Sequence, residues 1–101
     1  TQFTRIIRIT IKHRDKSTTL QAATFFAKEV RNQLGNQRMI GPVEPLIGKI
    51  RNLYLHELTL KIEKQGINLP AVKEYLRSVE LMLKQMPAFK SVGVVFDVDP
   101  V

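Results

Sequence analysis

Residues 3–36 read FTRIIRITIKHRDKSTTLQAATFFAKEVRNQLGN, and the hydrophobic period changes once along them, from two to about 3.6. From Phe3 to His13, Ile7, Ile9 and Ile11 share one side while Arg8, Thr10 and Lys12 share the other, the alternation of a half-buried strand. Arg14-Asp15-Lys16-Ser17 breaks it. Thr18, with Gln21 three residues later, has the form of a capping box, which predicts a helix starting there. Leu20, Ala23, Ala27, Val30 and Leu34 then step by three and four with Phe26 beside them, one apolar stripe, until Gly35-Asn36 ends it.

Outward from this β-α unit the remaining pattern completes a second one. Met39-Ile40-Gly41-Pro42-Val43 is short and broken by proline, as an edge or irregular strand is. Glu44 to Asn52 is a connector, expected as a hairpin arm. Tyr54 to Glu63 alternates again, with Leu58, Leu60 and Ile62 on one side and Glu57, Thr59 and Lys61 on the other. Gln65-Gly66 marks a turn, and Asn68 with Pro70 a second helix start. Leu69, Val72, Leu76, Val79, Leu83 and Met86 keep helical spacing as far as Pro87. Val92 to Phe96 is the last strand, running into Asp97-Val98-Asp99-Pro100.

The order β-α-β-β-α-β predicts an α+β fold: a ferredoxin-like split β-α-β sandwich, with a four-stranded antiparallel sheet covered on one face by both helices. The uncovered face is expected to carry Arg8, Thr10, Lys12, Glu57, Thr59, Lys61, Val95 and Asp97.

The 101 residues fit one domain, and 44% apolar composition supplies one core. No apolar run reaches a membrane-spanning length and no secretory leader is visible, so no membrane partner is expected. The absence of cysteine removes disulfides, thiolate metal ligands and thiol nucleophiles, and agrees with a cytoplasmic address. Opening on Thr1-Gln2-Phe3, the chain is expected to be a domain of a longer protein. Phosphate-loop, nucleophile-elbow and zincin motifs are all missing, so catalysis is not expected of this piece.

Charge is more informative. The net charge is +7, and all of it arises before Leu53, where ten Lys/Arg face three acidic residues; beyond that point the signs balance at six and six. Clustered cations release counterions when they meet phosphates, so the asymmetry favours a polyanion partner over a merely solubilising surface or an acidic protein tail.

Other chemistries fit less well. An RNA-recognition platform needs aromatic rings on the open face, and Arg8, Thr10, Glu57, Thr59 and Lys61 provide none. An acylphosphatase-like phosphate loop at Arg14-Asp15-Lys16-Ser17 lacks glycine and carries a repelling Asp15. Asp97 and Asp99 lie on one side of an extended chain without a third acidic neighbour, better suited to pinning the chain end than to holding Mg²⁺. His13 and His56 read as surface strand histidines without metal companions.

Gly41-Pro42, Pro45, Ile47, Ile50-Arg51, Tyr54 and the terminal Asp97-Val98-Asp99-Pro100 form a pattern. Together with the Arg5-Ile6-Ile7-Arg8-Ile9 strand and the Ala-rich helix after it, the chain resembles, over nearly its whole length, the C-terminal domain of the primosomal replication-restart helicases, the PriA family. The resemblance implies a bacterial, cytoplasmic protein that recognises abandoned replication forks, with a C-terminal domain similar in fold to a small-subunit ribosomal protein of the S-ten type. It implies that ATP, Mg²⁺ and Zn²⁺ are bound by domains upstream, so no cofactor is expected here. Its implied partners are fork DNA, the acidic tail of single-strand-binding protein, other primosome proteins and the helicase core. Two positions depart from the family pattern: Leu55-His56 follows the hairpin tyrosine where Arg is frequent, and the second helix begins Asn68-Leu69-Pro70-Ala71-Val72 without an early cation. Lys64 and Lys73 are the substitutes for contacts with the single-strand-binding-protein tail.

The reading that follows is a non-catalytic DNA-binding and docking domain. Arg8, Lys12, Arg14 and Lys16 on the first strand and its turn, with Lys49 and Arg51 on the hairpin, are expected on phosphates, which position a protein without reading sequence. The rival is a pure protein-interaction module without DNA contact; an acylphosphatase-like enzyme or a small-molecule sensor comes third.

Overall fold

A computed structural model describes residues 4–63 and 68–99. The chain runs β1 (Thr4–His13), α1 (Lys16–Leu34), β2 (Met39–Val43), β3 (Lys49–Ile50), β4 (Leu53–Glu63), α2 (Leu69–Lys84), a 3-10 turn (Pro87–Phe89) and β5 (Gly93–Val98). The four longer strands lie in the order β2-β4-β1-β5 with every pairing antiparallel. That order is compatible with the expected split β-α-β arrangement.

Among the described residues the sheet has five strands rather than four. The connector Glu44 to Asn52 folds back so that β3 pairs with β4 through Lys49↔Tyr54 and Ile50↔Leu53, on the same edge as β2. Arg51 and Asn52 close this hairpin with φ of 54° and 65°, the doubly positive geometry of a two-residue turn whose twist matches the strands.

Ile7, Ile9 and Ile11 on β1 and Leu58, Leu60 and Ile62 on β4 are all buried. They form one cluster with Ala22, Ala23, Phe26, Ala27 and Val30 of α1 and Leu76, Val79 and Leu83 of α2, so both helices cover the same sheet face. Phe26 meets Phe96 of β5 at 6.2 Å between ring centroids, tying helix to edge strand. Leu20, expected in the stripe, is instead 46% exposed.

Helix α1 also begins earlier than Thr18. Its N-cap is Asp15, whose Oδ2 accepts from the Thr18 amide and hydroxyl, each at 2.8 Å. An anionic acceptor satisfies the orphan amides of the first turn better than a threonine hydroxyl, and Gln21 turns to Ser17 instead. These bonds hold the exposed Asp15 carboxyl below its ordinary range. Helix α2 starts as expected, with Asn68 capping Ala71 and Pro70 in the first turn.

Edge strand β2 is irregular between Ile40 and Val43, and the Gly41-Pro42 peptide is cis. Gly41 has φ of 110°, and a Cβ there would lie 2.7 Å from the Glu57 carbonyl oxygen, so a side chain does not fit. Arg31 reaches across from α1 to donate to the carbonyls of Met39 and Gly41 at 3.2 and 2.7 Å. This arginine serves the fold.

Candidate nucleic-acid interface

Strand register sets out the uncovered face in rows. Arg8 lies between Thr59 and Asp97, Thr10 between Glu57 and Val95, and Lys12 between Leu55 and Gly93. Ile40 pairs with Thr59 and Val43 with Glu57 along the β2 edge. The face is therefore polar around Arg8 and increasingly aliphatic toward the β3–β4 hairpin. There, Ile50, Leu53, Leu55 and Val95 border a groove of about 410 Å³. Lys12, Thr10 and Arg51 supply its polar lining.

Several of the ten early cations are committed to the protein itself. Besides Arg31, Arg38 pairs with Glu63 at 3.0 Å and caps the Leu34 carbonyl, and Arg5 lies 3.6 Å from Asp99. Lys16 pairs with Glu44 at 3.4 Å, and the Lys49 ammonium stands 4.8 Å above the Tyr54 ring, a cation–π contact that stiffens the hairpin. Of these ten, Arg8, Lys12, Arg14, Lys28 and Arg51 make neither an ion pair nor a ring contact among the described residues, and Lys28 lies on α1, away from the uncovered sheet face. Arg8 and Lys12 share a strand face, Arg51 joins Lys12 at the groove, and Arg14 follows beyond the end of β1. Of the two positions expected on a protein partner, Lys64 lies outside the described residues. Lys73 lines a smaller cavity of about 140 Å³ with Arg77, Ile7, Leu76, Phe96 and Val98.

The histidines differ from each other. His56 is no surface residue: it is 5% exposed, on the covered side of β4, and its Nδ1 has no hydrogen-bond partner. Burial pushes its imidazole below the ordinary value, against a smaller opposite pull from Glu44. His13 Nδ1 accepts the Asp15 amide at 2.9 Å, so the ring proton sits on Nε2, which donates to Ser91 Oγ, also at 2.9 Å. That direction is the reverse of what activates a serine nucleophile. Asp99 fastens the C-terminal strand end to β1, its Oδ1 accepting the Ile6 amide at 3.1 Å.

A family model of the primosomal protein N C-terminal domain matches residues 3–101. The chain belongs to that family. No individual curated protein matches it. The primosomal protein N domain has a role in replication restart and is not itself a catalytic domain. No described helix is long and apolar enough to cross a membrane. The positions that carried the resemblance fall at working points of this fold: Gly41-Pro42 at the β2 irregularity, Tyr54 beneath Lys49, and Asp99 at the clasp on β1.

The groove itself was not foreseen. Leu53 and Leu55 share the odd-numbered side of β4 with Glu57 and Thr59, so their place on the open face was legible in the alternation. That Ile50 and Arg51 complete the groove depends on the hairpin folding back. Arg77 follows Lys73 by one helical turn, which puts both on one side of α2.

Proposed function

We propose that this domain binds DNA without reading sequence, as a non-catalytic anchoring and docking module of a replication-restart protein in the cytoplasm, with no cofactor of its own. The observation that carries this reading is that four cations without ion pairs, Arg8, Lys12, Arg14 and Arg51, lie along one strand face, its end and the adjoining hairpin turn. Phosphate contacts by such residues add affinity and position but no base preference. Lys16 and Lys49 are second-tier contacts: the exposed Lys16–Glu44 pair is worth about 0–1 kcal/mol and can yield to a phosphate, while Lys49, paired with Tyr54, lies on the other side of β4 from Leu53 and Leu55. The sandwich itself is read as ferredoxin-like, with β3 an addition from the hairpin arm.

The test is binding against salt concentration. Non-specific binding has a Kd on the order of 10⁻⁴–10⁻⁶ M at physiological salt, and four phosphate contacts on duplex give a slope of log K against log salt of about −3.6. Lys12→Ala with Arg51→Ala should weaken all sequences alike and flatten the slope by about 1.8. Lys84→Ala with Lys90→Ala, in the neutral half, should change little. Equal effects of the two pairs would refute the assignment.

A second reading has its own observation. The cavity between α2 and β5 has apolar walls and two cations, Lys73 and Arg77, features suited to the acidic tail of single-strand-binding protein. Docking alone predicts tail binding that Arg77→Ala weakens, with no salt-dependent DNA binding.

A further inference from the structure

The open face of an antiparallel sheet ordinarily carries polar residues where it meets water. Here Ile50, Leu53, Leu55 and Val95 surround a concavity on that face, and Ile50 and Val95 remain 47% and 44% exposed. We infer that this groove receives an unpaired base of a single DNA strand whose phosphates lie on Lys12 and Arg51. The inference rests on the DNA-binding reading above and specifies the form of DNA.

Charge and shape select the occupant. A duplex keeps its bases stacked inside and offers phosphates outside, so it can meet the cations but leaves the aliphatic groove empty. A single strand carries the same phosphates and, between them, flat apolar rings free to turn inward. Arg8, Lys12 and Arg14 follow one another along β1 and beyond its end, with Arg8 and Lys12 about 13 Å apart at the usual strand rise. A repeating polyanion can use that row, whereas a peptide with one carboxylate cannot. Among the described residues, Thr10 is the only uncharged polar side chain in the groove, so base identity should matter little. No aromatic platform is involved: the ring is held by aliphatic burial at the hairpin end, beside the positions where a stacking surface was excluded.

The experiment compares three fluorescent probes at one low salt concentration: a short oligothymidylate, an abasic strand of the same length and charge, and a short duplex. The oligothymidylate should bind about fivefold more tightly than the abasic strand, the effect expected of burying part of one ring. Leu55→Thr, and separately the near-isosteric Val95→Thr, should erase most of that margin while duplex affinity stays within about twofold. Lys12→Ala with Arg51→Ala should weaken all three probes. Equal binding of thymidylate and abasic strands overturns the base site while the DNA-binding reading stands, and is the result expected if the groove serves a protein segment. Equal losses on all three probes with Val95→Thr also overturn it. Failure of every probe to bind overturns the DNA-binding reading itself.

Discussion

Ile6 and Asp99 exchange two hydrogen bonds: the Ile6 amide donates to the Asp99 carboxylate at 3.1 Å, and the Asp99 amide donates to the Ile6 carbonyl at 2.6 Å. Asp99 adopts φ of 49° to do so. The exchange extends the β1–β5 ladder past Val98 and fastens the sheet edge. Asp99→Ala should cost about 1 kcal/mol in urea unfolding, with the exposed Arg5 contact a minor part of it. Asp99→Asn keeps an acceptor and tolerates the backbone angle, so it should recover most of the loss. Equal losses in the two variants would count against the clasp.

Leu76 is 1% exposed where α2 meets the core. Its truncation removes burial and leaves a cavity, so Leu76→Ala should cost about 2–5 kcal/mol. Leu81, on the same helix but 65% exposed, is the control: Leu81→Ala should cost no more than about 0.5 kcal/mol. Comparable losses at the two positions would mean that α2 does not seat as described.

The core was legible because strand and helix periods are local. Ile7, Ile9, Ile11, Leu58, Leu60 and Ile62 all took the side that alternation assigned. Strand β3 was not, since a two-residue pairing has no period and follows from a turn that places Arg51 and Asn52 at positive φ. Capping-box spacing pointed to Thr18, whereas the folded chain caps α1 at Asp15, whose anionic carboxylate is the better acceptor for the first-turn amides. His56 shares the even-numbered side of β4 with Leu58 and Leu60, so its burial was implicit in the alternation, but its residue type suggested surface. For the candidate site, strand parity anticipated Arg8 and Lys12, while Ile50 and Arg51 reach the groove only through the folded hairpin. Which cations are spent on carbonyls and carboxylates, as Arg31 and Arg38 are, is a matter of tertiary distance that no spacing reveals.

His56 makes stability depend on pH. Burial holds its folded-state pKa below the ordinary value of about 6.5, with Glu44 opposing and Lys16 adding a smaller push in the same direction. The unfolded chain therefore takes up the proton more readily than the folded one. Stability from this residue is fully present above that ordinary value and is lost as pH falls from there toward the folded pKa. His56→Leu should flatten the fall in unfolding midpoint between about pH 7 and 5 relative to the parent. Because its Nδ1 lacks a partner, the substitution should be neutral or stabilising at pH 7. Asp15 and Glu63, whose carboxyls are held low by hydrogen bonds, act only at more acidic pH. A parallel pH profile in the variant would refute the assignment.

Arg51 joins the turn geometry to the proposed interface. A side chain at φ of 54° is disfavoured by about 1 kcal/mol, and the usual occupants of such turns are Gly, Asn and Asp. Arginine there sacrifices stability, which is intelligible if its guanidinium serves at the groove it lines with Lys12. Arg51→Gly relieves the backbone, offset in part by the greater freedom of glycine in the unfolded chain. The unfolding free energy should hold or rise by up to about 1 kcal/mol, while DNA affinity falls and the salt slope flattens by about 0.9. Arg51→Lys retains charge and strain, so it should keep most of the binding and gain no stability. A glycine variant that loses stability along with binding would show the arginine to be part of the hairpin's structure, and one that binds DNA as before would remove Arg51 from the interface.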